Sequence, residues 1–138
     1  MNRERLVKQT MEAEGYRNQM YKCPADKWTI GVGHNIEDRG LSDAAIMFIL
    51  NEDLDICEDE LRGSLSFWED MPETVQEALM DLCFNMGIAR LLQFRKTLKH
   101  LKDKHWASAA EELLDSRYAA TLPNRATHNA NLIRAAGG

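Results

Sequence analysis

The chain is poor in cysteine, and the three it has, Cys23, Cys57 and Cys83, are widely spaced, odd in number and form no CxxC pair. That excludes a disulfide framework and a zinc site and leaves free thiols, as expected of a reducing cytoplasm. The four histidines, His34, His100, His105 and His128, lack ligand-like helical spacing to one another and to the cysteines, so no metal and no cofactor is expected. GxSxG, P-loop, GxGxxG and EF-hand patterns are all missing. No apolar run reaches the ~18 residues of a membrane span, and the opening "MNRERLVKQT" is charged with no apolar h-region. The expectation is a chain with no stable membrane anchor, no secretory signal and no nucleic-acid partner. Internal repeats, low-complexity tracts and linkers are also lacking.

What is present is ordinary for a globular protein: 138 residues, 44% hydrophobic and 28% charged. This predicts one domain, residues 1–138, with its own core. The charge is unevenly spread. Residues 1–82 carry 8 Lys and Arg against 18 Asp and Glu, a net −10, while residues 83–138 carry 9 against 4, a net +5. The basic excess lies mostly in Arg90, Arg95, Lys96, Lys99, Lys102 and Lys104. It reads as a solvated helical face, with a polyanion-facing surface as the alternative.

Helical periodicity dominates. Val7, Met11 and Glu14 fall at i, i+4 and i+7, which sets an acid on an apolar stripe expected to be buried, and Gly15 ends that helix. From residue 28 the period changes to two: Trp28, Ile30 and Val32 alternate with Thr29, Gly31 and Gly33 after the turn-like "CPADK". A small antiparallel sheet is expected, with a bulky face and a glycine-rich face against which another group can lie closely. Ser42 then caps a long helix marked by Ile46, Leu50, Leu54, Cys57 and Leu61. Pro72 opens another with Val75, Leu79, Leu82 and Met86 on its stripe and Gly87 at its end. A basic helix over 90–102 buries Leu91, Phe94, Leu98 and Leu101. Trp106, Ala110, Leu113 and Leu114 mark one more, and Thr121 and Pro123 open the last. The fold class is α+β: a small sheet near the N-terminus, a long connecting helix and a mostly helical C-terminal lobe.

Glu14 is the first functional candidate. Burial on the stripe and the negative end of the helix dipole both favour the protonated carboxyl, as a general acid requires. A glycosidase, which must protonate the leaving oxygen of a sugar linkage, needs such a group. Cys57 and Cys83 sit on or beside apolar stripes and read as small hydrophobes. Cys23 does not: it lies in a polar strand-to-turn segment with no packing stripe. Asp26 is a rival for a second carboxylate, though it sits in the turn. His34 reads as a hydrogen-bonded structural residue, with an acid of the 42–62 helix such as Asp53 as partner. Tyr16, Tyr21 and Trp28 read as core or near-core residues, with a place lining a sugar cleft as the alternative.

Glu14, Cys23 and Thr29 stand at the spacing Glu, eight residues, Cys, five residues, Thr, inside "EGYRNQMYK" and "TIGVGH"; "CFNMG" at 83–87 and "SRYAATLPNRA" at 116–126 follow in order. This set resembles the phage-type lysozymes of glycoside hydrolase family 24, the T-even-type endolysins, whose motif has an Asp or Cys at the middle position. The resemblance implies a lysozyme-like fold with a sheet-bearing lobe of about 15–60, including the connecting helix, and a helical lobe of 1–14 with 61–138. It implies that Glu14 protonates the β-1,4 linkage between N-acetylmuramic acid and N-acetylglucosamine, with Cys23 and Thr29 assisting the attack of water. Arg125 would orient the acid, favouring its ionised form, and Asn85 and Thr121 match substrate-binding positions, with His34 in support.

The same resemblance implies an endolysin: a monomer that accumulates in the host bacterial cytoplasm, depends on a holin-type membrane lesion and cuts peptidoglycan glycan strands in the periplasmic wall at lysis. Two other readings stay open. One is a catalytically silent murein-binding module in which Cys23 marks decay of the site. The other is a membrane-active protein using the basic 90–104 stretch as an interfacial helix.

Overall fold

Asn2 starts the first helix of the computed structural model, which describes residues 1–138: its Oδ1 accepts from Arg5 N at 2.9 Å. Helix α1 (Arg3–Glu14) ends at Gly15, whose φ of +86° turns the chain while its N–H donates to Met11 O. The chain divides into two compact units, Met1–Phe48 and Ile49–Gly138.

In the first unit the expected sheet forms. Strands β1 (Arg17–Lys22), β2 (Trp28–Gly31) and β3 (His34–Asn35) pair antiparallel in that order, with Tyr21 opposite Thr29 and Thr29 opposite Asn35. The β1–β2 turn closes through Cys23 N to Lys27 O (3.0 Å) and Asp26 N to Cys23 O (2.8 Å), with Asp26 at φ +62°. Val32 and Gly33 form the two-residue β2–β3 turn. Asn35 Oδ1 then accepts from Asp38 N and caps a short helix, α2 (Ile36–Arg39), which hydrophobic periodicity is too coarse to signal.

Two expectations are corrected here. No residue of α1 is buried, and Val7 (48%) and Met11 (37%) stay exposed, because a unit this short has too little surface to cover every apolar stripe it carries. Trp28, read as a core or near-core residue, is exposed as well. Thr29, in the central strand, is 3% exposed, while its bulky neighbour Trp28 is 42% exposed with the Lys22 ammonium 4.6 Å above its ring.

Ser42 caps helix α3 (Asp43–Ser64) as expected, its Oγ accepting from Ala45 N. Cys57 and Leu61 of α3 belong to the buried cluster of the second unit. After a 3₁₀ turn at Trp68–Asp70 come α4 (Glu73–Met86), α5 (Ile88–Leu91), α6 (Arg95–Lys102), α7 (Trp106–Leu114), α8 (Arg117–Thr121) and α9 (Pro123–Ala135). The α4 stripe is Val75, Leu79 and Leu82, all buried, with Met86 packed against them. Helix α9 packs on α4 and α7, and α6 packs on α7, around fully buried Leu61, Leu101, Leu113 and Ile133. Cys57 and Cys83 are buried free thiols, as read, and burial first, then the Cys57 thiol, pushes Cys83 up to about 12.

The single basic helix expected over 90–102 is two. Gln93 N to Arg90 O and Phe94 N to Leu91 O close tight three-residue turns, and Phe94 (ψ 57°) leaves helical geometry, so α5 stops and α6 starts again at Arg95. Leu91, Leu98 and Leu101 are still buried, because the break preserves their side. Thr121 does not open the last helix: it ends α8, which Ser116 caps through Ala119 N, and Pro123 begins α9. No helix is long and apolar enough to cross a membrane.

Leu113 is fully enclosed, so Leu113→Ala leaves a cavity; chemical denaturation should show a loss of about 2–5 kcal/mol, and a loss below about 1 kcal/mol would show that the helical core collapses around the gap.

Candidate active site

Glu14 is the last residue of α1, and its side chain folds onto the β2–β3 turn. A Cβ placed on Gly33 would lie 2.8 Å from Glu14 Oε2 and 3.1 Å from Glu14 Cβ and Cδ. Gly33 also holds φ +63°, a conformation that costs an L side chain about 1–2 kcal/mol. The glycine-rich segment thus receives a close neighbour, as its pattern implied, and that neighbour is the acid itself. The burial expected for Glu14 is absent: it is exposed, because the α1 stripe that was to carry it inward stays open.

Cys23 and Thr29 come together at the other end of β2. The Thr29 hydroxyl donates to Lys27 O at 2.8 Å and approaches the Cys23 sulfur. Cys23 is held below the ordinary thiol range, first by the Lys27 backbone N–H and then, against the opposing effect of desolvation, by the backbone of Ala25, the Thr29 hydroxyl and its own backbone. The partly exposed Cys23 thiol is thus shifted in the direction opposite to the buried Cys83. Asp26, the rival carboxylate, is 89% exposed and reaches Lys22 at 4.0 Å.

His34, on β3, donates from Nε2 to Gly40 O at 2.7 Å. It is the hydrogen-bonded structural residue expected, with a backbone carbonyl and not Asp53 as its partner. Tyr16 and Trp28 are exposed, which corrects their reading as core residues, while Tyr21 is half-buried and stacked under Arg17 at 4.7 Å. Around them Lys22 and Lys27 pair with Glu37, and Lys27 with Asp38, tying the β1–β2 turn to α2.

In the helical unit, Asn85 and Thr121 line one cleft of about 860 Å³, together with Phe94, Thr97 and Tyr118. Thr121 is engaged locally, its hydroxyl donating to Arg117 O. Arg125 is clamped. Its Nε and a terminal nitrogen donate to the two carboxylate oxygens of Asp81 on α4 at 2.9 and 2.7 Å, and Asn129 Nδ2 adds a third bond to Asp81 at 2.8 Å. The Arg125 guanidinium, ahead of desolvation and the Asn129 bond, holds Asp81 below the usual carboxylate range. Asp81 and Asn129 were missed from the sequence; the i, i+4 spacing of Arg125 and Asn129, which aligns two polar side chains on one face of α9, is the signal that could have raised them.

The sheet-bearing unit thus sets an acid against a glycine turn at one end of β2 and a thiol beside a hydroxyl at the other. The family model for phage lysozyme matches residues 11–129, so the chain belongs to the phage lysozyme family. Two similar proteins are probable T4-type lysozymes 1 and 2 of Dictyostelium discoideum. The first is 24% identical, covering 87% of this chain and 88% of its own length; the second is 25% identical, covering 81% and 83%. The family is one of lysozyme-type glycosidases acting on peptidoglycan.

If the Gly33 contact seats the acid, Gly33→Ala should cut the rate of murein clearing at least ~10-fold, since a misplaced reacting group loses its alignment. Gly31→Ala suffers similar strain at φ +68° but has open space around it. It should lose comparable stability and keep its activity; equal loss in both variants would assign the effect to strain alone.

The Asp81 carboxylate has a depressed pKa in the folded state, so its contribution is present above its unfolded pKa and is lost as pH falls through the folded one. The stability gap between wild type and Asp81→Asn should therefore be widest above about pH 5 and close below about pH 4. A gap that is flat with pH in denaturant titrations would show that the Arg125 pair is silent.

Proposed function

We propose that the chain is a muramidase that hydrolyses the β-1,4 linkage between N-acetylmuramic acid and N-acetylglucosamine. Glu14 donates its proton to the glycosidic oxygen, which leaves as a hydroxyl. Positive charge develops on the anomeric carbon, and water adds there with Cys23 and Thr29 assisting, the thiolate taking the proton that the water loses. His34 supports the shape of the sheet-bearing unit, and Asn85, Thr121 and Arg125 are the substrate-binding or supporting candidates of the helical unit. The observation that carries this reading is the seat of Glu14 against Gly33, on the same small sheet that brings the Cys23 thiol to the Thr29 hydroxyl.

The biological setting follows as a further part of the proposal: a monomeric endolysin, made in the host cytoplasm and admitted to the wall through a holin-type lesion. The membrane-active alternative loses its basis, because Leu98 and Leu101 of α6 are buried in the core and leave that helix no apolar face for a bilayer. A silent binding module remains distinguishable by activity.

Turbidity clearing of permeabilised Gram-negative cells separates the two. Wild type should clear, and Glu14→Gln, which keeps the shape but has no proton to give, should clear at least ~10²-fold more slowly while still folding. Clearing by the variant at the wild-type rate would remove Glu14 from the chemistry.

The thiol is tested by a series at one position. Cys23→Asp should keep substantial activity, Cys23→Ser less, and Cys23→Ala little, following the ease with which each ionises or holds the water. A thiol-blocking reagent should inactivate wild type and spare Cys23→Asp, since Cys57 and Cys83 are buried. Full activity in Cys23→Ala would leave Glu14, Thr29 and water as the working set.

A further inference from the structure

The cleft of the helical unit holds more positive charge than its structural pairs consume. Arg90, Arg95, Lys96 and Arg117 line it, against Glu112 and Asp115. The cations engaged in ion pairs are Lys22, Lys27, Arg62 and Arg125, so the four in the cleft are unpaired. Arg95 and Lys96 are the first two residues of α6, and Arg90 and Arg117 line the same cleft. Phe94 stands at the N-cap of α6 with no side-chain bond to the helix, and Leu98 N, donating to Phe94 O at 2.9 Å, is the first amide of the helical ladder. The amides of Arg95, Lys96 and Thr97 precede it and carry the positive end of the helix dipole.

Thr97 provides an independent sign. It is 4% exposed, lines the cleft, and its hydroxyl makes no hydrogen bond, in contrast to Thr10, Thr29 and Thr121, which each donate to a backbone carbonyl. The one buried side-chain polar atom without a partner is Asn129 Oδ1, so the Thr97 hydroxyl, on a residue otherwise almost wholly buried, reaches the cleft, where a ligand can accept its proton.

We propose that this end of the cleft is a binding site for a phosphoryl group. Three amides, one hydroxyl and three guanidinium forks offer more donors than the two oxygens of a carboxylate can accept, and four unpaired cations suit a dianion. Phe94 and Tyr118 on the same walls give a sugar ring apolar faces, so a phosphorylated sugar fits the room that free phosphate leaves over. The site goes beyond the muramidase reading and stands if that reading fails, because binding is measured without turnover.

The test is calorimetric titration of the whole chain with glucosamine 6-phosphate, inorganic phosphate and acetate. The expectation is saturable one-to-one binding of the phosphoryl compounds and none of acetate at equal concentration. Arg95→Gln with Lys96→Gln, both exposed and safe for folding, should weaken phosphoryl binding by about tenfold or more, and Thr97→Val should weaken it several-fold, as loss of charged and neutral hydrogen bonds implies. Lys102→Gln with Lys104→Gln, outside the cleft, should change nothing. Tighter binding of the sugar phosphate identifies a phosphorylated sugar as the source, and equal binding identifies free phosphate; both uphold the site. Absence of saturable binding, acetate binding as tightly, or equal weakening by the Lys102 and Lys104 pair would overturn it.

Discussion

The hydrogen that stands in place of a side chain at position 33 is the constraint on which the candidate chemistry depends. The Glu14 side chain occupies the space a Cβ would need, and the positive φ of Gly33 lets a two-residue turn reverse the chain there. Gly15 does the complementary work by ending α1 immediately after the acid. From that seat the rest follows in order: β2 leads back from the turn to Thr29, and Thr29 is the residue whose hydroxyl meets the Cys23 thiol across the sheet. One backbone feature thus ties together three side chains that are 15 residues apart in sequence from first to last.

The helical unit is organised by different means. Its core is a closed apolar cluster, and its polar centre is the carboxylate of Asp81 between Arg125 and Asn129. A half-exposed ion pair of this kind contributes little net stability, about 0–1 kcal/mol. Its bidentate form fixes orientation instead, since two parallel bonds leave the guanidinium no freedom to rotate. Asn129 is fully buried with Oδ1 unpaired, a cost the unit bears while its Nδ2 holds Asp81 in place.

Elements specified by local chemistry were legible in the sequence. Gly15, Ser42 and Gly87 end or begin helices as their conformational preferences dictate, and the α4 stripe of Val75, Leu79 and Leu82 is buried as its spacing requires. Features decided by tertiary packing were not. Periodicity cannot say that the stripe of α1 stays uncovered or that Trp28 stays open on its strand, so Glu14 and Trp28 are exposed where burial was expected. The break at residues 92–94 was hidden because the apolar spacing of Leu91, Leu98 and Leu101 survives it. Asp81 was invisible for a related reason: a charged residue beside an apolar stripe gains its meaning from a partner 44 positions away. The motif spacing singled out Glu14, Cys23 and Thr29, yet the glycine that seats the acid became evident only from the space it leaves empty.

The most direct test of the central claim is the chemistry of the ends the protein makes. Purified murein digested with the wild-type chain, reduced with borohydride and hydrolysed should release muramitol from newly exposed reducing N-acetylmuramic acid, in an amount that rises with digestion time. Glucosaminitol in its place, or no new reducing ends while the wall still dissolves, would contradict a muramidase built around Glu14.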